Sequence, residues 1–271
     1  MVNSPPFPAR RIVDFVIGGT QKGGTTALDA YLREHPEICM AEKNAGYFSA
    51  GHTEIASAGQ KEVHFFDNED YFVHGKPDYS RYHQRFNPGT AHKALGEATP
   101  IYMYWKDSPR RIWEYNPGMK FIILLRDPIE RAYSHWNMER IRNADKLSFW
   151  DAVKNETERC REALPLQHRV YSYISRGLYT EQLNRLWAYF HKDSVLCLKS
   201  EDLKERLDET LGCVCEFLQV NKFKCLVSRN KHSLPYESSM TEKERDYLRR
   251  IFEPEIAKLE KELNWNCSEW L

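Results

Sequence analysis

The stretch Phe15-Val16-Ile17-Gly18-Gly19-Thr20-Gln21-Lys22-Gly23-Gly24-Thr25-Thr26 limits the fold more than any other part of the chain. Phe15 to Ile17 is an apolar run short enough for a buried strand. Thr25 opens a helical pattern with Ala27, Leu28, Tyr31 and Leu32 on one side. Between them lie small residues and one lysine. A strand that ends in a glycine-rich loop and feeds a helix N-terminus makes an anion site. Its N–H groups point outward, the helix dipole adds partial positive charge, and glycine lets a phosphate come close. Gly18, Gly23 and Thr25 fit the G-x-x-x-x-G-K-[ST] spacing of nucleotide-triphosphate loops, but Gly24 holds the lysine position and Lys22 stands two residues earlier. The cation is therefore expected at the crown of the loop.

A second constraint is Phe121-Ile122-Ile123-Leu124-Leu125, a continuous apolar run that reads as a central strand buried on both faces. It ends in Arg126-Asp127-Pro128, with proline suited to a first helical turn. Ile129, Ala132, Tyr133 and Trp136 follow at helical spacing, and Ser134 falls two turns in. Arg126 thus stands at the carboxyl end of a central strand, where open α/β sheets bind ligands. Further strands are expected over 12–17, around Leu95–Tyr102 and at Val195–Leu198. Helices are expected over 25–35, from a Ser108 cap through Tyr115, over Phe149–Glu162, from Tyr179 through Phe190, and over Leu203–Leu218. A capping box at Thr241 and Glu244 opens a last helix, kinked at Pro254. Residues 41–60 read as a long surface loop. Residues 70–88 read as irregular, and 220–236 as a basic loop. Strand–helix alternation without linker or repeat predicts one α/β domain over 1–271, a P-loop-like three-layer fold with a central parallel sheet flanked by helices. Residues 1–11 are expected to be a flexible N-terminal segment.

Lys61-Glu62-Val63-His64-Phe65-Phe66-Asp67 is read as a short strand. That puts Glu62 and His64 two apart on one face, as candidates for proton transfer.

The 39 basic and 39 acidic residues cancel, which removes any bulk electrostatic case for a nucleic-acid partner. No run approaches the roughly 18–20 apolar residues of a membrane span, and Met1 to Arg11 has no apolar signal core. The seven cysteines match neither a zinc site nor a disulfide framework. Buried thiols in a reducing cytoplasm, with no metal and no membrane or nucleic-acid partner, are the expectation.

Three features in order resemble the sulfotransferases that use 3′-phosphoadenosine 5′-phosphosulfate (PAPS). They are Lys22-Gly23-Gly24-Thr25-Thr26 after a strand, Arg126-Asp127-Pro128 with Ser134, and Arg176-Gly177-Leu178-Tyr179 before a helix. The Lys61–Phe66 segment is similar to the branch that holds heparan sulfate N- and 3-O-sulfotransferase domains and their bacterial relatives. The resemblance runs from about residue 12 to the C-terminus.

That resemblance implies a PAPS-dependent enzyme that leaves 3′-phosphoadenosine 5′-phosphate (PAP). The phosphosulfate is expected on Lys22, Gly23, Gly24, Thr25 and Thr26, and the 3′-phosphate on Arg126 and Ser134. Arg176, Gly177 and Tyr179 are expected near the 3′-phosphate or the adenine, with Lys231 closing over the nucleotide. Glu62 is the implied base, Lys22 the cation on the leaving phosphate, and His64 either orients Glu62 or meets the acceptor. Heparan-modifying relatives carry a lysine where this chain has Ala98. With the neutral charge, this favours a small natural product or polar alkaloid as acceptor, with Glu97, Tyr102 and Trp105 lining its pocket. A glycosaminoglycan-like carbohydrate is the alternative acceptor. A P-loop kinase or NTPase and a non-catalytic nucleotide binder are the remoter readings.

Overall fold

The computed structural model describes residues 11–43, 61–73, 75, 77–224, 236 and 238–271. Most of the expected 41–60 loop, most of the 220–236 loop, and with it Lys231, lie outside the described residues.

Five strands form one parallel sheet: β1 Phe15–Gly19, β2 Ile38–Met40, β3 Ala94–Ala98, β4 Lys120–Leu125 and β5 Val195–Lys199, in the order β2-β3-β1-β4-β5. The helices are α1 Thr25–Leu32, α2 Ser80–His83, α3 Ser108–Tyr115, α4 Pro128–Ile141, α5 Phe149–Lys154, α6 Glu156–Cys160, α7 Tyr179–Trp187, α8 Asp202–Glu205, α9 Leu207–Leu218 and α10 Glu242–Leu263. Successive side chains of a strand face opposite ways, and β4 shows why its run is apolar throughout. Phe121, Ile123 and Leu125 enter a core with residues of α4, α7 and α10. Ile122 and Leu124 enter the other, with residues of α1 and α9. The result is the expected three-layer arrangement.

The strand order also fixes where a ligand belongs. The chain leaves β1 toward β2 and β3 on one side, and resumes on the other side at β4. The crevice at the carboxyl ends of β1 and β4 is therefore the topological switch point. The loop after β1 and Arg126 after β4 both lie there.

Several expectations need correction. Among the described residues, 61–67 pair with no strand. His64 takes a left-handed φ of 51°, which breaks an extended path, and the N–H groups of Val63 to Phe66 go to side-chain hydroxyls. The 149–162 and 203–218 helices are each divided, at Asn155 and Arg206. Asp107, not Ser108, is the N-cap of α3, and the Ser108 hydroxyl donates to the Phe66 carbonyl instead. The capping box at Thr241 and Glu244 is present, and α10 runs through Pro254.

One close approach inside the sheet is testable. Gly96 of β3 pairs with Phe15 of β1, and a Cβ on Gly96 would lie 2.2 Å from the Phe15 ring. Both positions are buried, so the ring has no way to swing out. Gly96→Ala is expected to cost about 1–3 kcal/mol, the usual range for overpacking. The readout is a lower urea midpoint at an unchanged slope; an unchanged midpoint would show that the ring yields freely.

Candidate active site at the strand ends

The loop after β1 is built around one carbonyl. Thr20 donates its N–H to Leu124 O at 2.9 Å and its hydroxyl to the same oxygen at 2.8 Å. Gly23 turns over that carbonyl so tightly that a Cβ would lie 2.5 Å from it. Lys22 and Gly24 both take positive φ, 70° and 95°, which bends the crown back toward the helix. Gly24 is the N-cap of α1 and offers no capping side chain. No side chain caps the start of α1, and a helix N-terminus that opens directly from a glycine turn is the geometry of an anion cradle.

Positive charge collects at this crown. Burial lowers the Lys22 pKa, and Arg142, Arg126 and Arg131 lower it further, against a smaller opposing pull from Glu139. A lysine held among arginines in this way favours an incoming anion. Arg126 donates to Lys22 O at 3.4 Å, so the two predicted cationic residues meet across the switch point. Ser134 lies buried on α4.

The third motif sits behind these groups. Tyr179 is buried, and its hydroxyl donates to the Arg126 carbonyl at 2.8 Å. Arg176 donates to Gln21 of the loop at 2.7 Å, to Ser172 and to the Arg169 carbonyl. A Cβ on Gly177 would strike the Phe252 ring at 2.6 Å. The side chains of Arg176 and Tyr179 are thus engaged internally. These bonds tie Arg176 to the Gln21 loop and Tyr179 to Arg126.

The proton-transfer pair is assembled, although not on a strand. The turn at His64 brings its Nε2 to 2.9 Å from Glu62 and its Nδ1 to 2.9 Å from Asp67. Asp67 is fully buried and also receives Arg169 at 2.6 Å. Burial alone would lower the His64 pKa, but Asp67 and Glu62 outweigh it and raise it to about 10. Burial would raise the Glu62 pKa, but the Lys61 and His64 charges hold it down at about 2. The resting arrangement is an imidazolium clamped between two carboxylates. Both ring nitrogens of His64 are thus engaged, one by each carboxylate.

Lys61 went unremarked in the sequence except as part of its motif. Its buried ammonium lies 3.5 Å from Thr25 Oγ1, 3.4 Å from the Ala98 carbonyl and 3.7 Å from Glu62. It joins the anion loop to the carboxylate. Its position beside Glu62 in sequence was the available signal, but nothing in the spacing says that it turns toward α1.

A sequence family described as a sulfotransferase domain matches residues 13–233. The chain belongs to the sulfotransferase family. A crystal structure of a sulfotransferase from Alicyclobacillus acidocaldarius aligns over 96% of this chain and 99% of its own, with a TM-score of 0.76 and 25% identity. Human heparan sulfate glucosamine 3-O-sulfotransferase 6 is 27% identical over 79% of this chain and 54% of its own. Human bifunctional heparan sulfate N-deacetylase/N-sulfotransferase 3 is 25% identical over 96% and 31%. A membrane-associated sulfotransferase of Dictyostelium discoideum is 32% identical over 46% and 22%. The chain thus spans between about a fifth and just over half of these relatives' lengths. Family membership sets aside the kinase or NTPase reading.

This sulfotransferase fold also corrects the expected acceptor pocket. Glu97 and Tyr102 are 0% exposed and Trp105 is 3% exposed. The Tyr102 hydroxyl donates to Glu97 at 2.8 Å, and the Trp105 indole donates to Glu69 at 2.7 Å. Their polar atoms face inward, so none of the three lines an open pocket. Two surface hollows of about 340 and about 190 Å³ lie elsewhere and share no lining residue with the groups above. Among the described residues no cluster of His, Cys, Asp and Glu is placed to hold a metal, and no helix is long and apolar enough to cross a membrane.

The clamp has a measurable sign. The folded-state pKa of His64 exceeds its ordinary 6.5, so its contribution to stability is full below 6.5 and is lost as pH rises through about 10. Nuclear magnetic resonance should find the His64 ring doubly protonated at neutral pH. Asp67→Asn should bring its midpoint down toward 6.5. A wild-type midpoint already near 6.5 would contradict the clamp.

Proposed function

We propose that this chain transfers a sulfuryl group from PAPS to a hydroxyl or nitrogen of a small-molecule acceptor. The observation that carries the reading is the joint placement of Lys22, Arg126 and the α1 N-terminus at the switch point, with ionised Glu62 one lysine away.

The residues present fit this donor. Gly23 and Gly24 give a cradle with no Cβ in the way at Gly23 and no capping side chain at the helix start. Lys22 and the backbone from Gly23 to Thr26 would hold the phosphosulfate, with the Thr25 and Thr26 hydroxyls. Arg126, a planar donor matched to phosphate oxygens, would hold the 3′-phosphate with Ser134. Arg176, Gly177 and Tyr179 brace those two groups from behind. Bound there, PAPS supplies a sulfuryl group carried on a phosphate leaving group. Glu62 takes the proton of the acceptor, and His64 fixes its orientation through Asp67. Lys22 would supply the positive charge beside the leaving phosphate. Lys61 stands by the Ala98 carbonyl, and we read it as the cation that serves where heparan-modifying relatives carry a lysine.

A small natural product or polar alkaloid remains the lead acceptor, on the neutral overall charge and on Ala98. The work would proceed in a reducing cytoplasm, consistent with free thiols at the six described cysteines. A carbohydrate acceptor is the second reading. It is favoured by the heparan-modifying relatives and by half-exposed Arg142, whose charge reaches Lys22, and Arg169, which holds Asp67.

Calorimetry with PAP, with ATP and AMP as controls, tests the donor site. PAP should bind tightly, and Arg126→Ala should weaken it about 10- to 100-fold, the worth of charge-assisted hydrogen bonds to phosphate. Equal binding of ATP, or indifference to Arg126, overturns the reading. Lys22→Ala should abolish most turnover of PAPS. Glu62→Gln should slow turnover at least about 100-fold while leaving PAP affinity nearly unchanged; a collapse of PAP affinity would make Glu62 a structural residue.

A further inference from the structure

Glu97 is a fully buried acid at the end of β3, and no part of the reaction above uses it. Its oxygens receive three hydroxyl protons: from Thr99 at 2.5 Å, from Tyr102 at 2.8 Å and from Tyr82 at 3.1 Å. Two of those hydroxyls have a second duty. Thr99 Oγ1 accepts the N–H of Val63 at 2.9 Å and of His64 at 3.4 Å. The Tyr102 oxygen accepts the N–H of Phe65 at 3.1 Å and of Phe66 at 3.5 Å. Four consecutive backbone N–H groups, with no strand beside them, therefore rest on two hydroxyl oxygens.

A hydroxyl has one proton and two lone pairs. Each of these oxygens can accept twice only because its own proton is taken elsewhere, and in both cases Glu97 takes it. We propose that Glu97 is the positioning residue of the segment that carries Glu62 and His64. As an acceptor on both oxygens, it turns Thr99 and Tyr102 into the acceptors that hold residues 63–66 in their turn. That turn, with His64 at positive φ, is what brings the imidazole between Glu62 and Asp67. The inference rests on the proposed role of Glu62 for its consequence in catalysis, but not for the positioning itself.

The surroundings fit this division of labour. Tyr82 faces Glu97 from α2, Tyr102 from the turn after β3 and Tyr115 from α3. Arg85, just past α2, and His64 supply the nearby positive charge. Burial pushes the Glu97 pKa up to about 7, against the three hydroxyl donors and His64 that pull it down. A proton on Glu97 removes acceptor charge from the hydroxyls, so the segment should loosen as pH falls below about 7. Glu62, at about 2, does not titrate in that range.

The test uses the full chain and Glu97→Gln. An amide accepts on one side and donates on the other, so either Thr99 or Tyr102 then faces a donor while already accepting twice. Amide exchange over residues 63–66 should become about tenfold faster relative to the rest of the protein. The His64 midpoint should fall from about 10 toward 6.5. PAP affinity should be kept. Release of PAP from PAPS, with water as acceptor, should slow, and any loss of rate below about pH 7 in the parent should vanish in the variant. If Glu97→Gln does not fold, Thr99→Val carries the same test, with Thr99→Ser expected to restore parental exchange because it returns the hydroxyl. Unchanged exchange and an unchanged His64 midpoint in a folded variant overturn the proposal. Faster exchange with undiminished turnover in both Glu97→Gln and Glu62→Gln upholds the positioning and removes Glu62 as the base.

Discussion

The carbonyl oxygen of Leu124 is the point on which the anion loop turns. Thr20 bonds to it twice, and Gly23 passes over it with no room for a side chain. Because Leu124 belongs to β4, the loop after β1 is tied to the neighbouring strand at the place where strand order reverses. Arg126 follows two residues later and returns a bond to Lys22 O. Loop, strand and cation are therefore positioned by one short piece of parallel pairing. Ordinary hydrophobic burial of β4 on both faces keeps that pairing rigid.

Charge is arranged locally although it cancels over the whole chain. Cations crowd the crown of the loop, where burial and neighbouring arginines lower the Lys22 pKa. Acids dominate the Glu62–His64–Asp67 turn a few residues' width away. Lys61 touches both sides, and Arg169 steadies the acidic one. Net charge said only that no polyanion is attracted in bulk. The field that matters here is set by which side chains the strand ends bring together.

Much of this was legible in the sequence because the signals were local. The apolar run of β4, Pro128 at the start of α4, the Thr241–Glu244 capping box and the glycine loop each follow from the residues that form them. So did the place of Arg126 at the carboxyl end of a central strand, where open parallel sheets bind ligands. The turn at 61–67 was misread as a strand because its backbone partners, Thr99 and Tyr102, lie some 36 residues away and act through side chains. Glu97, Tyr102 and Trp105 were misplaced for a related reason. Acids and aromatics after a strand suit a pocket and a polar core equally well, and only burial separates the two. The bond of Arg176 to Gln21 could not be read from the sequence either, because that partner lies in a separate segment and acts through its side chain.

In the proposed reaction Glu62 is a base held far below neutrality, and this is less odd than it first looks. A carboxylate that is always ionised is always ready to accept, and it needs to accept only as the acceptor's proton becomes acidic during bond formation. The two groups that hold its pKa down are not equally fixed. His64 is pinned by Asp67 and by its backbone. Lys61 is shared with Thr25 at the start of α1, where an anion would compete with Glu62 for it. Opposite charge within a few ångströms is what sets such a pKa. Filling the anion loop would therefore relax the Lys61 hold on Glu62 and raise its basicity, so that the base gains strength when the donor is present.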